Sequence, residues 1–168
     1  MSKLASLDDL FVHGLQEAYE AESQIKNALP RMTRAATSPD LKQALTTHGH
    51  ETEEHGYRLT QILGMLGAPA YGKTCDGMTA LIDEGERLIQ SIQEPEVLDA
   101  ALISAAQKLE HYEMAMYGCL CTYAEMLGYD QARRLLGQTL DEEENIDMRL
   151  TELAESVINP HAVEGDSA

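Results

Sequence analysis

The sequence predicts an all-α bundle of four long helices, with one short helix in the connection between its halves. Three observations predict it. Apolar residues recur at helical spacing along most of the 168 residues, and no segment reads as a convincing strand. Helix-start and helix-stop residues punctuate that pattern. The breaker-rich stretch "GAPAYGKTCDG", residues 67–77, is its one long interruption.

The first helix runs from Ser6, an N-cap, to about Ala36. Its inward stripe is Leu7, Phe11, Leu15, Ala18, Glu22, Ile25 and Leu29, and Pro30 predicts a kink or break near Leu29. "TSPD" restarts the chain as a helix, with Ser38 as N-cap and Pro39 at the first helical position. This second helix ends near Leu66, before Gly67 and Pro69. A short third helix carries Met78, Leu81, Ile82, Leu88 and Ile89 on one face. Glu94-Pro95 opens the fourth, which Gly128 closes after Leu127. The fifth runs from about Asp130 to Val157 and is stopped by Asn159-Pro160. Residues 1–158 are thus assigned to the bundle, and 159–168, "NPHAVEGDSA", to a flexible C-terminal tail. Short turns make helices one and two an antiparallel hairpin, and helices four and five another. Gly67 to Glu94 is long enough to cross between them. That is the connectivity of a ferritin-like four-helix bundle with one long crossover, here carrying the additional short helix.

Composition narrows the function classes. The formal net charge is −17, with 29 acids against 12 Lys plus Arg. Such a chain is a poor nucleic-acid binder and is repelled by anionic membrane surfaces, whereas it attracts cations. The start, "MSKLASLDDLF", has no long apolar region of a secretory signal, and no apolar run approaches a membrane span. Cys75, Cys119 and Cys121 form neither a disulfide framework nor a CxxC zinc pattern. A reduced, cytoplasmic chain is expected. There is no Trp and a single Phe to stack on nucleotides, no Gly-rich phosphate loop, and no nucleophile elbow.

At 100° per residue, several acids fall on the apolar stripes. Glu22 lies between Ala18 and Ile25. On the second helix His48, Thr52 and His55 share the face of Leu41, Leu45, Leu59, Leu63 and Leu66, with Glu51 at its edge. On the fourth, Glu113 is central and Glu110 flanks it, while His111 turns away. On the fifth, Glu143 and Asp147 lie among Leu136, Leu140, Leu150 and Ala154, with Glu144 at the edge. A buried carboxylate must be paired, protonated or metal-bound. Lys26 and Lys108 are too few to neutralise this set.

The bland alternatives differ by residue. One Glu on a stripe can snorkel at a bundle end, but Glu22, Glu113 and Glu143 lie mid-helix. His48 and His55 can equally be core-edge histidines bonded to Thr52 or a carboxylate. His13, His50, His111 and His161 read as solvated; Tyr19, Tyr112 and Tyr117 read as packing residues. "DEEEN", 141–145, is a solvated acidic face except at Glu143 and, at the edge, Glu144. The co-occurrence of inward acids on four helices favours a dinuclear metal site, and oxygen donors with one or two imidazoles suit iron or manganese. The usual Glu-x-x-His pairs are absent. Helix four offers Glu110-x-x-Glu113; helix two offers His48-x-x-Glu51, in reversed order, or Glu51 with His55 four on.

In "EAYEAESQIKNALPRM", "ATSPDLKQAL", "HGHETEEH", "CDGMTALIDE", "DAALISAAQKLEHYEMAMYG" and "TLDEEENIDMRLTELA", the chain resembles the YciF-like family. These are bacterial stress-response proteins of the ferritin-like superfamily. The resemblance spans roughly Leu7 to Ala154. It implies a helical bundle, commonly a homodimer, with a dinuclear metal site. Glu22, Glu51, Glu110, Glu113, Glu143 and Asp147 match as acids, and His48 matches too. Relatives usually carry Gln where this chain has His55. By this reading Glu51 and Glu143 bridge two metals, Glu22 and Glu110 each cap one, and Glu113, Asp147 and a His complete the shells. The family is linked to general and osmotic stress without an established reaction.

The first functional reading is therefore a cytoplasmic protein with two bound metal ions, iron or manganese, whose di-iron form reacts with peroxide or dioxygen. The second is a non-enzymatic helical stress protein whose core acids are protonated or paired through water. Joint substitution of Glu113 and Glu143 by Gln separates them, because only a metalloprotein then loses metal stabilisation. Bulk iron storage would need a large closed shell.

Overall fold

The computed structural model describes residues 4–71 and 73–164. Its long helices are α1 (Leu7–Ala35), α2 (Pro39–Met65), α4 (Pro95–Leu127) and α5 (Asp130–Leu153), with the shorter α3 (Asp76–Ser91) in the crossover. The chain is an all-α ferritin-like bundle. Its termini follow local chemistry. The Ser6 hydroxyl accepts from the Asp9 amide and the Asp9 carboxylate accepts from the Ser6 amide, each at 3.0 Å, a reciprocal capping box. Ser38 caps α2 ahead of Pro39. Gly128, at φ 75°, supplies the left-handed turn that closes α4.

Two sequence expectations fail at prolines. Pro30 does not interrupt α1, which runs unbroken to Ala35. Its ring lies on the exposed face, where water can satisfy the carbonyl that loses its amide partner. Asn159-Pro160 does not stop the chain's helical path. A π-helical segment, Ala154–Ile158, follows α5, and a further helix, α6 (Asn159–Glu164), packs on α4. The wider turn resets the register, so that Pro160 falls in the first turn of α6, where no amide hydrogen is needed. Of the expected tail, residues 165–168 lie outside the described residues.

Each long helix carries an apolar, then polar, then apolar stripe. One apolar cluster gathers Ile25, Leu29, Leu41, Leu45, Leu102, Leu109, Ile146 and Leu150. The other gathers Phe11, Leu15, Leu59, Ile62, Leu63, Leu120 and Leu136. Along α1 and α5 the chain passes from the second cluster to the first; along α2 and α4 it passes the other way. The packed neighbours α1–α2, α4–α5, α1–α4 and α2–α5 are thus all antiparallel. Because α2 and α4 run in the same sense, the chain needs a long crossover between them. That crossover is tied down: Gln16 donates to the Pro69 carbonyl at 2.8 Å, and Arg31 and Lys108 pair with Glu86 and Glu84 of α3. Met78 of α3 is buried in the first cluster. Among the described residues, no helix is long and apolar enough to cross a membrane.

Asp99 marks how this fold treats an ordinary buried acid. It is 3% exposed and accepts from the Thr37 amide (2.7 Å), the Thr37 hydroxyl (2.6 Å) and the Ser38 amide (2.7 Å). Those bonds fasten the α1–α2 turn to α4.

Candidate metal centre

The polar layer between the two apolar clusters is built by four helices. Glu22 comes from α1, His48 and His55 from α2, Glu110 and Glu113 from α4, and Glu143 from α5; none is more than 2% exposed. Helical spacing puts them there. His48 and His55 are two turns apart, Glu110 and Glu113 one turn apart, and each lies on its helix's buried stripe.

They fall into two groups with one member in common. Ligand atoms of His48, Glu110, Glu113 and Glu143 lie within 4.8 Å of one another, as do those of Glu22, His55 and Glu143. His48 Nε2 is 3.3 Å from Glu110 Oε1; His55 Nδ1 is 2.9 Å from Glu143 Oε1 and 3.4 Å from Glu22 Oε1. Donors about 2.0–2.2 Å from a shared ion would be spaced in this way. The donors are also unengaged. Both carboxylate oxygens of Glu110, Glu113 and Glu143, both ring nitrogens of His48, Nδ1 of His55 and Oε2 of Glu22 are buried without a hydrogen-bond partner. Such groups are costly to bury alone, and a hard cation satisfies several of them together. On this ground the residues fit a metal pair.

Two residues expected in the set lie outside both groups. Glu51 is part-exposed, with Oε2 3.9 Å from His48 Nδ1. Asp147 is also only part-buried; it accepts from Gln107 at 3.2 Å and sits 3.2 Å from Nε2 of the exposed His111. Both sit one residue beyond a fully buried neighbour or short of one: the α5 stripe is Ala132, Leu136, Thr139, Glu143, Ile146, Leu150, and Thr52 holds the inward position beside Glu51. One residue is 100° of helix rotation. Glu143, rather than Glu51, is the residue common to the two groups. Glu144 is exposed.

Residues the sequence did not assign to the site surround it: Arg58, the packing residue Tyr117, and Glu142, which was expected on a solvated face but is held by side-chain bonds. Glu142 Oε2 lies 2.9 Å from His55 Nε2, and Arg58 grips Glu142 with both guanidinium nitrogens, at 2.5 and 2.9 Å. Arg58 also donates to the Thr139 hydroxyl at 3.1 Å. This fixes His55 with Nε2 outward and Nδ1 toward Glu22 and Glu143. Tyr117, fully buried, donates its hydroxyl to Glu22 Oε1. The one sequence signal for the clamp was Arg58, one turn beyond His55. Lys26 and Lys108 contribute no charge here, since both pair with surface acids.

The electrostatics follow from crowding. Burial pushes the Glu110 and Glu113 carboxyls well up, and neighbouring carboxylates push them further. Burial raises Glu22 too, partly offset by His55. Burial holds His48 down, toward neutral imidazole. His55 goes the other way: burial opposes its charge, but Glu143 and Glu22 outweigh burial and lift it to about 10. Glu143 is correspondingly held low; burial would raise it, and the two imidazoles beside it prevail. Burial and crowding thus favour the neutral carboxyl at Glu110 and Glu113, whereas the 2.9 Å contact between His55 and Glu143 favours the charged form of each.

Comparison with known proteins agrees with this architecture. Residues 6–163 match the family described as a domain of unknown function, DUF892. The chain is 41% identical to protein YciF of Escherichia coli over 160 residues, 95% of this chain and 96% of that one. The crystal structure of the E. coli stress protein YciF superposes with a TM-score of 0.89, covering 93% of this chain and 99% of that one. YcfI from Rhodopseudomonas palustris, also 41% identical, superposes at 0.87, covering 89% and 96%. A Xanthomonas campestris protein, 18% identical, shares the fold at 0.78 over 96% and 99%. The chain belongs to this YciF-like, DUF892 family.

Proposed function

We propose that this member of the YciF-like family is a dinuclear metal protein of the stress response, with two ions, iron or manganese, held in the polar layer of each protomer. One observation carries the reading: two ligand groups share Glu143 and leave most of their donor atoms buried without a hydrogen-bond partner. His48, Glu110 and Glu113 would hold one ion, Glu22 and His55 the other, with Glu143 between them. When bound there, a ferrous pair would supply the reducing electrons for peroxide or dioxygen. The chain's own residues set the conditions. Leu and Ile clusters above and below exclude bulk water. Glu142 and Arg58 orient His55, and Tyr117 orients Glu22 through its hydroxyl. Glu110, Glu113 and His55, whose proton-bound forms the site favours, would have to be deprotonated to hold a cation. The protein works in the cytoplasm as a homodimer, which size-exclusion chromatography checks.

The test is metal analysis after anaerobic loading of chelator-stripped protein with Fe(II) or Mn(II). The expected result is about two ions per chain; a result below one would sink the proposal. The second reading, a metal-free stress protein, draws on the His55–Glu143 pair at 2.9 Å, which lets part of the cluster persist on protons alone. It predicts that chelation leaves the melting temperature unchanged.

A further inference from the structure

The buried donors need a way in for a hydrated ion, and one cavity reaches them. A cleft of about 210 Å³ lies between α1 and α2, with Glu22 among its lining residues. That volume has room for several water molecules. Glu22 itself is 2% exposed, and its Oε2 has no partner. The cleft thus opens to solvent on one side and is walled on the other by a member of the metal set, whose free oxygen is buried behind that wall.

Its wall is suited to a cation. Five hydroxyl-bearing side chains line it, Tyr19, Ser23, Thr52, Tyr57 and Thr60, and the three aliphatic ones spend their hydrogen on the backbone. Ser23 donates to the Tyr19 carbonyl at 2.9 Å, Thr52 to that of His48 at 3.0 Å, and Thr60 to that of Gly56 at 2.8 Å. What these three leave for the cleft is oxygen lone pairs, which attract cations. Lys26, on the rim, is held 3.0 Å from Glu53, so its charge is compensated. The bulk field of a −17 chain adds to the pull.

A glycine on the cleft wall offers a way to test it. Gly56 stands inside α2, where glycine is a poor helix former, and no turn requires it. A Cβ built there would meet no atom within 4 Å. Packing does not demand glycine; a side chain there would project into open space along the cleft.

We propose that the α1–α2 cleft is the route by which a hydrated divalent cation enters the core, with Glu22 as the first inner ligand it meets. This rests on the metal-site reading above, and the experiment separates the two. Metal-stripped protein is mixed with Co(II) alone in a stopped-flow instrument, and the visible absorption of the bound ion gives rate and final occupancy. Gly56→Leu, which fills the cleft, is expected to slow loading about tenfold, because a side chain must first move aside. Gly64→Leu, at a second open glycine of α2 away from the cleft, is expected to load at the wild-type rate. The double variant Ser23→Ala, Thr60→Val keeps the cleft open but removes two oxygens. It is expected to load about threefold slower, and it carries the test if Gly56→Leu does not fold. Normal final occupancy with unchanged rates in the cleft variants overturns the route alone. No occupancy in the wild type overturns the metal site and the route together.

Discussion

Asp99 and Glu113 are both buried carboxylates on α4, about 21 Å apart along the helix. Asp99 has three donors within 2.7 Å; Glu113 has none for either oxygen. One fold thus contains a buried acid that is finished and a buried acid that waits. Burial alone does not mark a functional carboxylate. The mark is burial without partners, repeated on several helices at one level of the bundle.

The most severe way to probe this contrast is to remove the finished acid. Asp99→Ala strands two backbone amides and a hydroxyl, and is expected to cost about 4 kcal/mol, the same with and without metal, by urea denaturation. The waiting acids should behave in the opposite manner. Glu143→Ala is expected to abolish metal-induced stabilisation, about 3 kcal/mol at a hundredfold excess over Kd, seen as loss of the Fe(II)- or Mn(II)-dependent rise in Tm. Glu113→Gln tests the same side more gently. In metal-free protein it should be neutral or stabilising at neutral pH, since Gln replaces a carboxyl whose charged form burial disfavours.

The pH dependence of the metal-free protein sharpens the contrast further. Glu110 and Glu113 bind protons more tightly folded than unfolded, so their contribution declines as pH rises above about 4.5. His55, lifted to about 10 from 6.5, contributes fully below 6.5 and loses its contribution as pH rises toward 10. Stability should therefore fall by on the order of 2 kcal/mol between pH 6.5 and 8. Metal binding, favoured by deprotonation, should flatten that slope. Thermal melts across this range, with and without chelator, read both; a metal-free protein more stable at pH 8 than at 6 would contradict the assignment. The smallest effect belongs to the clamp. Glu142→Gln should weaken metal binding by about tenfold, as measured by Co(II) titration, and cost the metal-free protein about 1 kcal/mol in urea denaturation through the weakened Arg58 and His55 contacts.

Most of the fold was legible in the sequence. Ser6, Ser38-Pro39 and Gly128 announce helix ends through local bonding, which needs no tertiary information. Six of the eight expected site residues meet because stripe position depends only on 3.6-residue periodicity. Glu51 lies outside both groups at the edge position where helical spacing put it, and Asp147, placed centrally by that spacing, is turned about 40° from Glu143, enough to leave it only part-buried. Pro30 and Pro160 misled because their cost depends on which face or turn they occupy, a tertiary property. The Glu142–Arg58 clamp was illegible for a similar reason: it depends on how α2 is set against α5, which neither helix's pattern fixes alone.

The polar layer has one more consequence. An apolar bundle can slide by a turn and still bury leucine against leucine. Here such slippage would carry a carboxylate or imidazole from each displaced helix into a sheath of Leu and Ile and put an aliphatic side chain among the acids left behind. The same residues that wait for a ligand therefore act as a key that sets the helices to one registry, before any ligand arrives.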